Sequence, residues 1–83
     1  MVEGLWRVLY VPARDRWIHD FHPSTELQES VEAWAEQCTL FGPPVDTDEP
    51  DKEYGTEIAP HGTRVSFYAI PHERLIIVRS FLP

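Results

Sequence analysis

The residues best suited to chemistry lie in the last third of the chain, where Glu57, His61, Arg64 and Arg79 fall on or between predicted strands. A carboxylate and an imidazole can exchange protons with a substrate, and guanidinium groups stabilise negative charge on a phosphate during its transfer. Tyr68 adds a hydroxyl group to the same segment. These residue types together suit the cleavage of a phosphodiester bond. The structural alternative is that Arg64 pairs with Glu57 or with an acidic loop residue.

The apolar pattern around these residues predicts three consecutive antiparallel strands. The strands are expected at residues 54–59, 64–70 and 75–81, joined by two short turns. Alternation places Val65, Phe67 and Ala69 on one face of the middle strand. The last segment is a nearly continuous apolar run broken by Arg79, which is typical of a central strand covered on both faces.

The first half of the chain predicts one strand and two helices that support this block. We expect a strand at residues 5–11, a short helix at 13–21 and a longer helix at 25–41 that starts with a capping box of Thr25 and Gln28. The longer helix has one apolar stripe, formed by Leu27, Val31, Trp34, Cys38 and Phe41. The predicted fold is therefore a single α+β domain, residues 1–83, with two layers and one four-stranded sheet. Cys38, the one cysteine of the sequence, lies on this stripe and is expected to be a core residue.

The charge of the chain is strongly acidic and uneven. The net charge is −7, and residues 26–57 hold ten acidic residues against one lysine. Binding to free nucleic acid normally requires a basic surface, so free nucleic acid is not an expected partner. Six of these acids are candidates for binding a partner protein: Glu29, Glu32, Glu36, Asp46, Asp48 and Asp51. The alternative is that they form a solvated face that keeps a small protein soluble.

Several short motifs resemble the RelE/ParE superfamily of small bacterial toxins, many of which cut messenger RNA on the ribosome. The motifs are Gly42-Pro43-Pro44 after the helices, Tyr54 at the start of a strand, Gly62-Thr63-Arg64 at a turn, Phe67-Tyr68 and the apolar last strand. The loop from Gly42 to Asp51 also resembles a branch of actinobacterial RelE-like proteins. The resemblance implies a RelE-like fold, a protein that inhibits bacterial growth or translation, and an antitoxin or the ribosome as partner. A cytoplasmic location is expected from the residues themselves, because Met1-Val2-Glu3-Gly4 lacks the basic start and apolar stretch of a signal peptide and a single cysteine cannot form an internal disulfide.

The sequence departs from the family pattern at the residues that would cut RNA. Family members carry lysines on the strand before the turn, where this chain has Gly55 and Glu57, and basic or aromatic residues beyond the last strand, where this sequence ends. Arg64 alone stands where a family arginine is expected. A ribosome-dependent endoribonuclease would therefore have to use Arg64 and Arg79 with His61 and Glu57. The alternative function is that of a non-enzymatic, acidic and phage-encoded or regulatory protein that binds a host or cognate protein.

Other residues point to no cofactor or metal. His19 and His22 lie three residues apart, but no other residues complete a tetrahedral set, so we expect no metal. Trp17 is expected in the core, with an exposed anchor for a partner as the alternative. No apolar run approaches the ~20 residues of a membrane span, so no membrane association is expected.

Overall fold

A computed structural model describes residues 4–43, 52–58 and 62–82. The described residues form two helices and four strands: β1 (Arg7–Leu9), α1 (Val11–Phe21), α2 (Thr25–Phe41), β2 (Glu53–Ile58), β3 (Thr63–Ile70) and β4 (Leu75–Leu82). A 3-10 turn at Pro71–Glu73 links the last two strands. The predicted element order and the α+β class are confirmed.

The first strand is shorter than predicted because the first helix begins earlier. Pro12 was expected to close a strand, but it occupies the first turn of α1, where its missing N–H is not needed and its fixed φ suits the helix. The strand therefore ends at Leu9. The helix ends as expected, since His22 precedes Pro23 and adopts the left-handed conformation with a φ of 47°.

The second helix has the predicted bounds, but the predicted capping box is wrong by one residue. Ser24 is the N-cap, and its hydroxyl accepts a hydrogen bond of 3.1 Å from the Leu27 N–H. The Gln28 side-chain amide donates instead to the Pro23 carbonyl, at 3.1 Å. The helix ends at Gly42, whose φ of 83° favours glycine, and the Trp6 ring packs against this glycine.

The strands of the described residues form one mixed sheet in the order β1-β4-β3-β2. β1 runs parallel to β4 and pairs only with the first three residues of β4, Leu75–Ile77. The two other pairings, β4 with β3 and β3 with β2, are antiparallel as predicted. An irregularity in the register between Ser66 and Phe67 leaves Arg79 as an extra residue on β4.

Both helices pack on one face of the sheet and form the core with it. The middle strand contributes Val65, Phe67 and Ala69, all fully buried as predicted. Trp17 of α1 stacks on Phe81 of β4 with ring centroids 4.9 Å apart. This tryptophan is only 3% exposed, so its alternative role as an exposed partner anchor is wrong.

The helical stripe is buried except at its end. Val31 and Cys38 are buried, and Leu27 and Trp34 are partly buried against the core. Phe41 is 76% exposed, so its predicted place in the core is wrong. At this end of α2 the contact is made by Trp6 instead, whose backbone N–H donates to the Thr39 carbonyl at 2.9 Å and whose ring packs against Gly42. No helix among the described residues is long and apolar enough to cross a membrane.

Candidate functional site

The side of the sheet opposite the helices carries the candidate arginines, and we call it the open face. Since Val65, Phe67 and Ala69 point into the core, the residues between them point away from the helices. The register extends this face across the sheet through these residues: Glu53, Gly55 and Glu57 of β2, Arg64, Ser66 and Tyr68 of β3, Ile77 of β4, and Arg7 and Leu9 of β1. No described helix covers this face.

Arg64 lies flat across its neighbouring strand, over Gly55. A methyl group at Gly55 would stand 2.7 Å from Nη2 and 2.9 Å from Nε of Arg64, closer than van der Waals contact allows. Glu57 is the residue directly opposite Arg64 in the register. The Arg64 guanidinium nevertheless makes no ion pair with Glu57 or with any other described residue. Arg64 is exposed on the open face, so an anionic ligand can reach its guanidinium group.

Arg79 reaches the same face by a different route. Arg79 is the extra residue at the register irregularity of β4. The alternation of side chains along the strand therefore does not determine which face of the sheet it points to. Its guanidinium carbon lies 5.5 Å from the centre of the Tyr68 ring, a cation–π distance. Because Tyr68 belongs to the open face, this contact holds the cation there. Arg79 is exposed and has no ion pair among the described residues.

The structure therefore brings three of the four predicted catalytic residues to one face. Arg64 pairs in register with Leu82, three residues along β4 from Arg79, which corresponds to roughly 10 Å along the strand. Glu57 lies beside Arg64 in the register. The fourth residue, His61, lies outside the described residues. Arg7 is at the other end of the open face, level with Leu75, and does not belong to this group.

Of the six predicted partner-binding acids, the structure describes the three on α2, which lies on the other side of the sheet from the open face. Glu29 and Glu36 are exposed on α2 and make no ion pair within the described chain. Glu32 accepts a hydrogen bond of 2.8 Å from Arg14 of α1, so it links the two helices. The predicted acids Asp46, Asp48 and Asp51 lie outside the described residues.

Gly55 is a site residue that the family pattern alone does not identify. In the sequence it is only a position where the family carries a lysine, whereas in the structure it provides the space in which Arg64 lies. A glycine inside a strand costs stability and is often found where another group approaches the backbone closely. That signal was present in the sequence and could have identified the position.

Cys38 is a core residue, as predicted, and is not a nucleophile. It is 1% exposed, and burial raises the pKa of its thiol from 9.0 to about 11. The reactive thiolate is therefore scarce at neutral pH.

This pKa predicts a specific loss of stability in alkaline solution. Below pH 9 the thiol is protonated in both the folded and the unfolded chain, so stability does not depend on it. Between pH 9 and 11 the unfolded chain loses the proton and the folded chain keeps it, so the free energy of unfolding should fall as the pH rises. Denaturant titrations at several pH values check this.

The matched control for that prediction is Cys38→Ala, which has no thiol to titrate. All other residues are the same in both proteins, so only the difference between the two curves reports on Cys38. Two curves that stay parallel from pH 8 to 11 would contradict the assignment of a raised pKa.

Comparisons with known proteins add no family to this geometry. No protein-family model, no curated protein and no solved structure matches the chain. Within the described ranges, no group of three or more histidine, cysteine, aspartate or glutamate residues could hold a metal ion. The part of the open face that carries Arg64 and Arg79 is accordingly the site from which a function can be argued.

Proposed function

We propose that this protein is a RelE-like, toxin-fold protein that binds messenger RNA on the ribosome through the open face and thereby inhibits translation. The observation that carries the proposal is that Arg64 and Arg79 present two guanidinium groups on an uncovered sheet face, with neither neutralised by a described carboxylate. Guanidinium groups bind phosphate with paired hydrogen bonds, which makes arginine suited to this contact.

The residues of the open face are better suited to binding an RNA phosphate than to cleaving RNA. Arg64 can stabilise a phosphate that gains negative charge, and Glu57, opposite it in the register, can accept a proton. Tyr68 lies beneath Arg79 and supplies an aromatic surface with a hydroxyl group. Inhibition of translation requires only that mRNA is held, so the proposal does not depend on cleavage.

The acidity of the chain is compatible with a phosphate site on this face. The sheet separates the exposed acids of α2 from the open face, because α2 packs on the core side of the sheet, where Trp34 contacts Phe67. Two packed layers place these charges more than ~10 Å away, and at physiological ionic strength the Debye length is about 8 Å. Long-range repulsion still disfavours encounter with free RNA, and this favours mRNA that a ribosome already presents.

A reconstituted translation system tests the proposal. The purified protein is added to ribosomes programmed with a defined mRNA, and primer extension then reports both stalled ribosomes and cut mRNA ends. We expect inhibition of peptide synthesis together with a protein-dependent stop at the ribosomal decoding site. A protein that neither binds programmed ribosomes nor slows peptide synthesis would overturn the proposal.

A second candidate function is the binding of a basic partner protein by α2. It is favoured by Glu29 and Glu36, which are exposed on one helix and have no ion pair among the described residues. Complementary charge mainly accelerates association, so such a surface would work by attracting its partner. An antitoxin and a host protein are both compatible with this chemistry.

Charge reversal of these two acids separates the second function from a merely solvated face. Glu29→Lys combined with Glu36→Lys should slow association with a captured partner by about tenfold at low salt and flatten its salt dependence. Stability should change little, because both side chains are exposed. Association kinetics at two salt concentrations give the measurement.

The control is Asp15→Lys combined with Glu73→Lys, which makes the same change in net charge at exposed positions outside α2. It should leave the association rate close to that of the wild type. Equal slowing by both double variants would mean that overall charge matters and that α2 forms no specific surface.

A further inference from the structure

A cleft lies beside the open face, between α1 and the second half of β4. It forms because β1 pairs only with Leu75–Ile77, so no described strand covers the remaining edge of β4. α1 begins two residues after β1 ends and runs along this uncovered part. The resulting space is about 190 Å³, with Arg16, Asp20 and Phe21 on the helix side and Arg79 on the strand side.

The cleft combines an apolar floor with polar walls. Trp17 and Phe81 form the floor and stack on each other at 4.9 Å, which fixes its shape. Arg16 and Arg79 place two cations against the single carboxylate of Asp20, in a chain whose overall charge is −7. Phe21 is 50% exposed, so one aromatic ring at this cleft is accessible to a ligand.

These features favour one class of ligand, an aromatic ring that carries an anionic group. A simple anion would gain nothing from an apolar floor, and a purely apolar ligand would gain nothing from the two guanidinium groups beside it. The volume equals the share of about six water molecules in the liquid and is below the ~300 Å³ at which pockets for drug-sized ligands begin. A single nucleobase with its phosphate outside the cleft fits this combination.

We propose that the cleft binds one nucleotide of RNA, with the base in the cleft and the phosphate between Arg16 and Arg79. The inference deepens the proposed function and rests on it through Arg79, which lines the cleft while its guanidinium lies over Tyr68 on the open face. The base stacks on Phe21, and the Asp20 carboxylate accepts a hydrogen bond from an N–H of the base. The cleft and the open face then form one continuous binding track.

Titration of the full chain with adenosine 5′-monophosphate, followed by NMR, tests the proposal without any ribosome. We expect shift changes confined to α1 and the second half of β4. Ribose 5-phosphate and inorganic phosphate should each bind at least tenfold more weakly, because neither has a base to stack. Equal binding of inorganic phosphate, or changes confined to the strands around Gly55, would overturn the inference.

Three variants at two exposed residues, Phe21 and Arg16, sharpen the test. Phe21→Ala should weaken nucleotide binding about tenfold, whereas Phe21→Tyr, which keeps a stacking ring, should bind like the wild type. Arg16→Ala should weaken binding of the nucleotide and leave any response to the bare nucleoside adenosine unchanged. Thermal melts confirm that each variant is folded, and wild-type affinity in Phe21→Ala contradicts the base site.

The failure of this inference can be told from the failure of the proposed function. If translation is inhibited through Arg64 but adenosine 5′-monophosphate does not bind, the cleft is not a base site and the open face remains supported. If the nucleotide binds in the cleft but translation is not inhibited, the cleft stands as a nucleotide site and the ribosomal function is wrong.

Discussion

Arg64→Ala is expected to weaken inhibition of translation about ten- to a hundredfold, because hydrogen bonds from a guanidinium group to a phosphate contribute about 1.5–3 kcal/mol to binding. The folded state should be almost unaffected, because the guanidinium is exposed and makes no ion pair among the described residues. Dose–response curves in the translation system, together with a thermal melt, measure both quantities.

The matched control is Arg7→Ala, which removes the same charge from the same face. Arg7 is exposed and lies at the opposite end of the sheet, in register with Leu75, whereas Arg64 is in register with Leu82. Arg7→Ala should inhibit translation nearly as well as the wild type. If the two variants lose activity equally, the effect is one of net charge and the proposed site is wrong.

Gly55→Ala tests whether the position of Arg64 matters as well as its presence. A methyl group at Gly55 would lie 2.7 Å from Nη2, so the guanidinium must move. The atoms that collide belong to the end of a flexible side chain, and the strand keeps its backbone, so the fold should tolerate the change. We expect inhibition of translation between that of the wild type and that of Arg64→Ala. Full inhibition would show that the position of the Arg64 guanidinium over Gly55 has no functional role.

The fold class and the element order could be predicted because the strand-like and helix-like apolar periods lie in separate segments of the sequence. Residues 54–81 alternate with period two and residues 25–41 repeat at three and four, so the α+β class and the element order follow from pattern alone. What the pattern could not decide was which residues of the stripe reach the core. The stripe continues to Phe41 at the end of α2, but there Trp6 makes the contacts, with Thr39 and Gly42, and the Phe41 ring stays exposed.

The candidate site could be predicted in its residue types but only partly in its arrangement. Arg64 and Glu57 share a face because hairpin register follows from the turn between their strands. The face on which Arg79 lies could not be predicted in this way. The register irregularity opposite Ser66 and Phe67 interrupts the alternation of side chains along β4, and no residue type in the sequence indicates where it occurs. The pairing of Arg79 with Tyr68 and the cleft beside α1 both depend on that irregularity and therefore required the structure.

Trp17→Ala should cause the largest loss of stability of any single truncation considered, about 3–5 kcal/mol. Trp17 is 3% exposed and stacks on Phe81, so its removal leaves a cavity where α1 meets β4. A chain of this length is stable by about 4–12 kcal/mol, so the variant should unfold at a clearly lower urea concentration than the wild type. Urea titration followed by circular dichroism measures the change.

Trp34→Phe is the informative control for the same experiment. Trp34 is half-buried and packs on Phe67 at 6.0 Å, but its buried indole N–H has no hydrogen-bond partner among the described residues. Phenylalanine keeps an aromatic contact and removes an unsatisfied donor, so part of the lost burial is offset and the net change should be below about 1.5 kcal/mol. If Trp34→Phe unfolds the protein while Trp17→Ala leaves it intact, the core is centred on α2 and the packing of α1 against β4 is wrong.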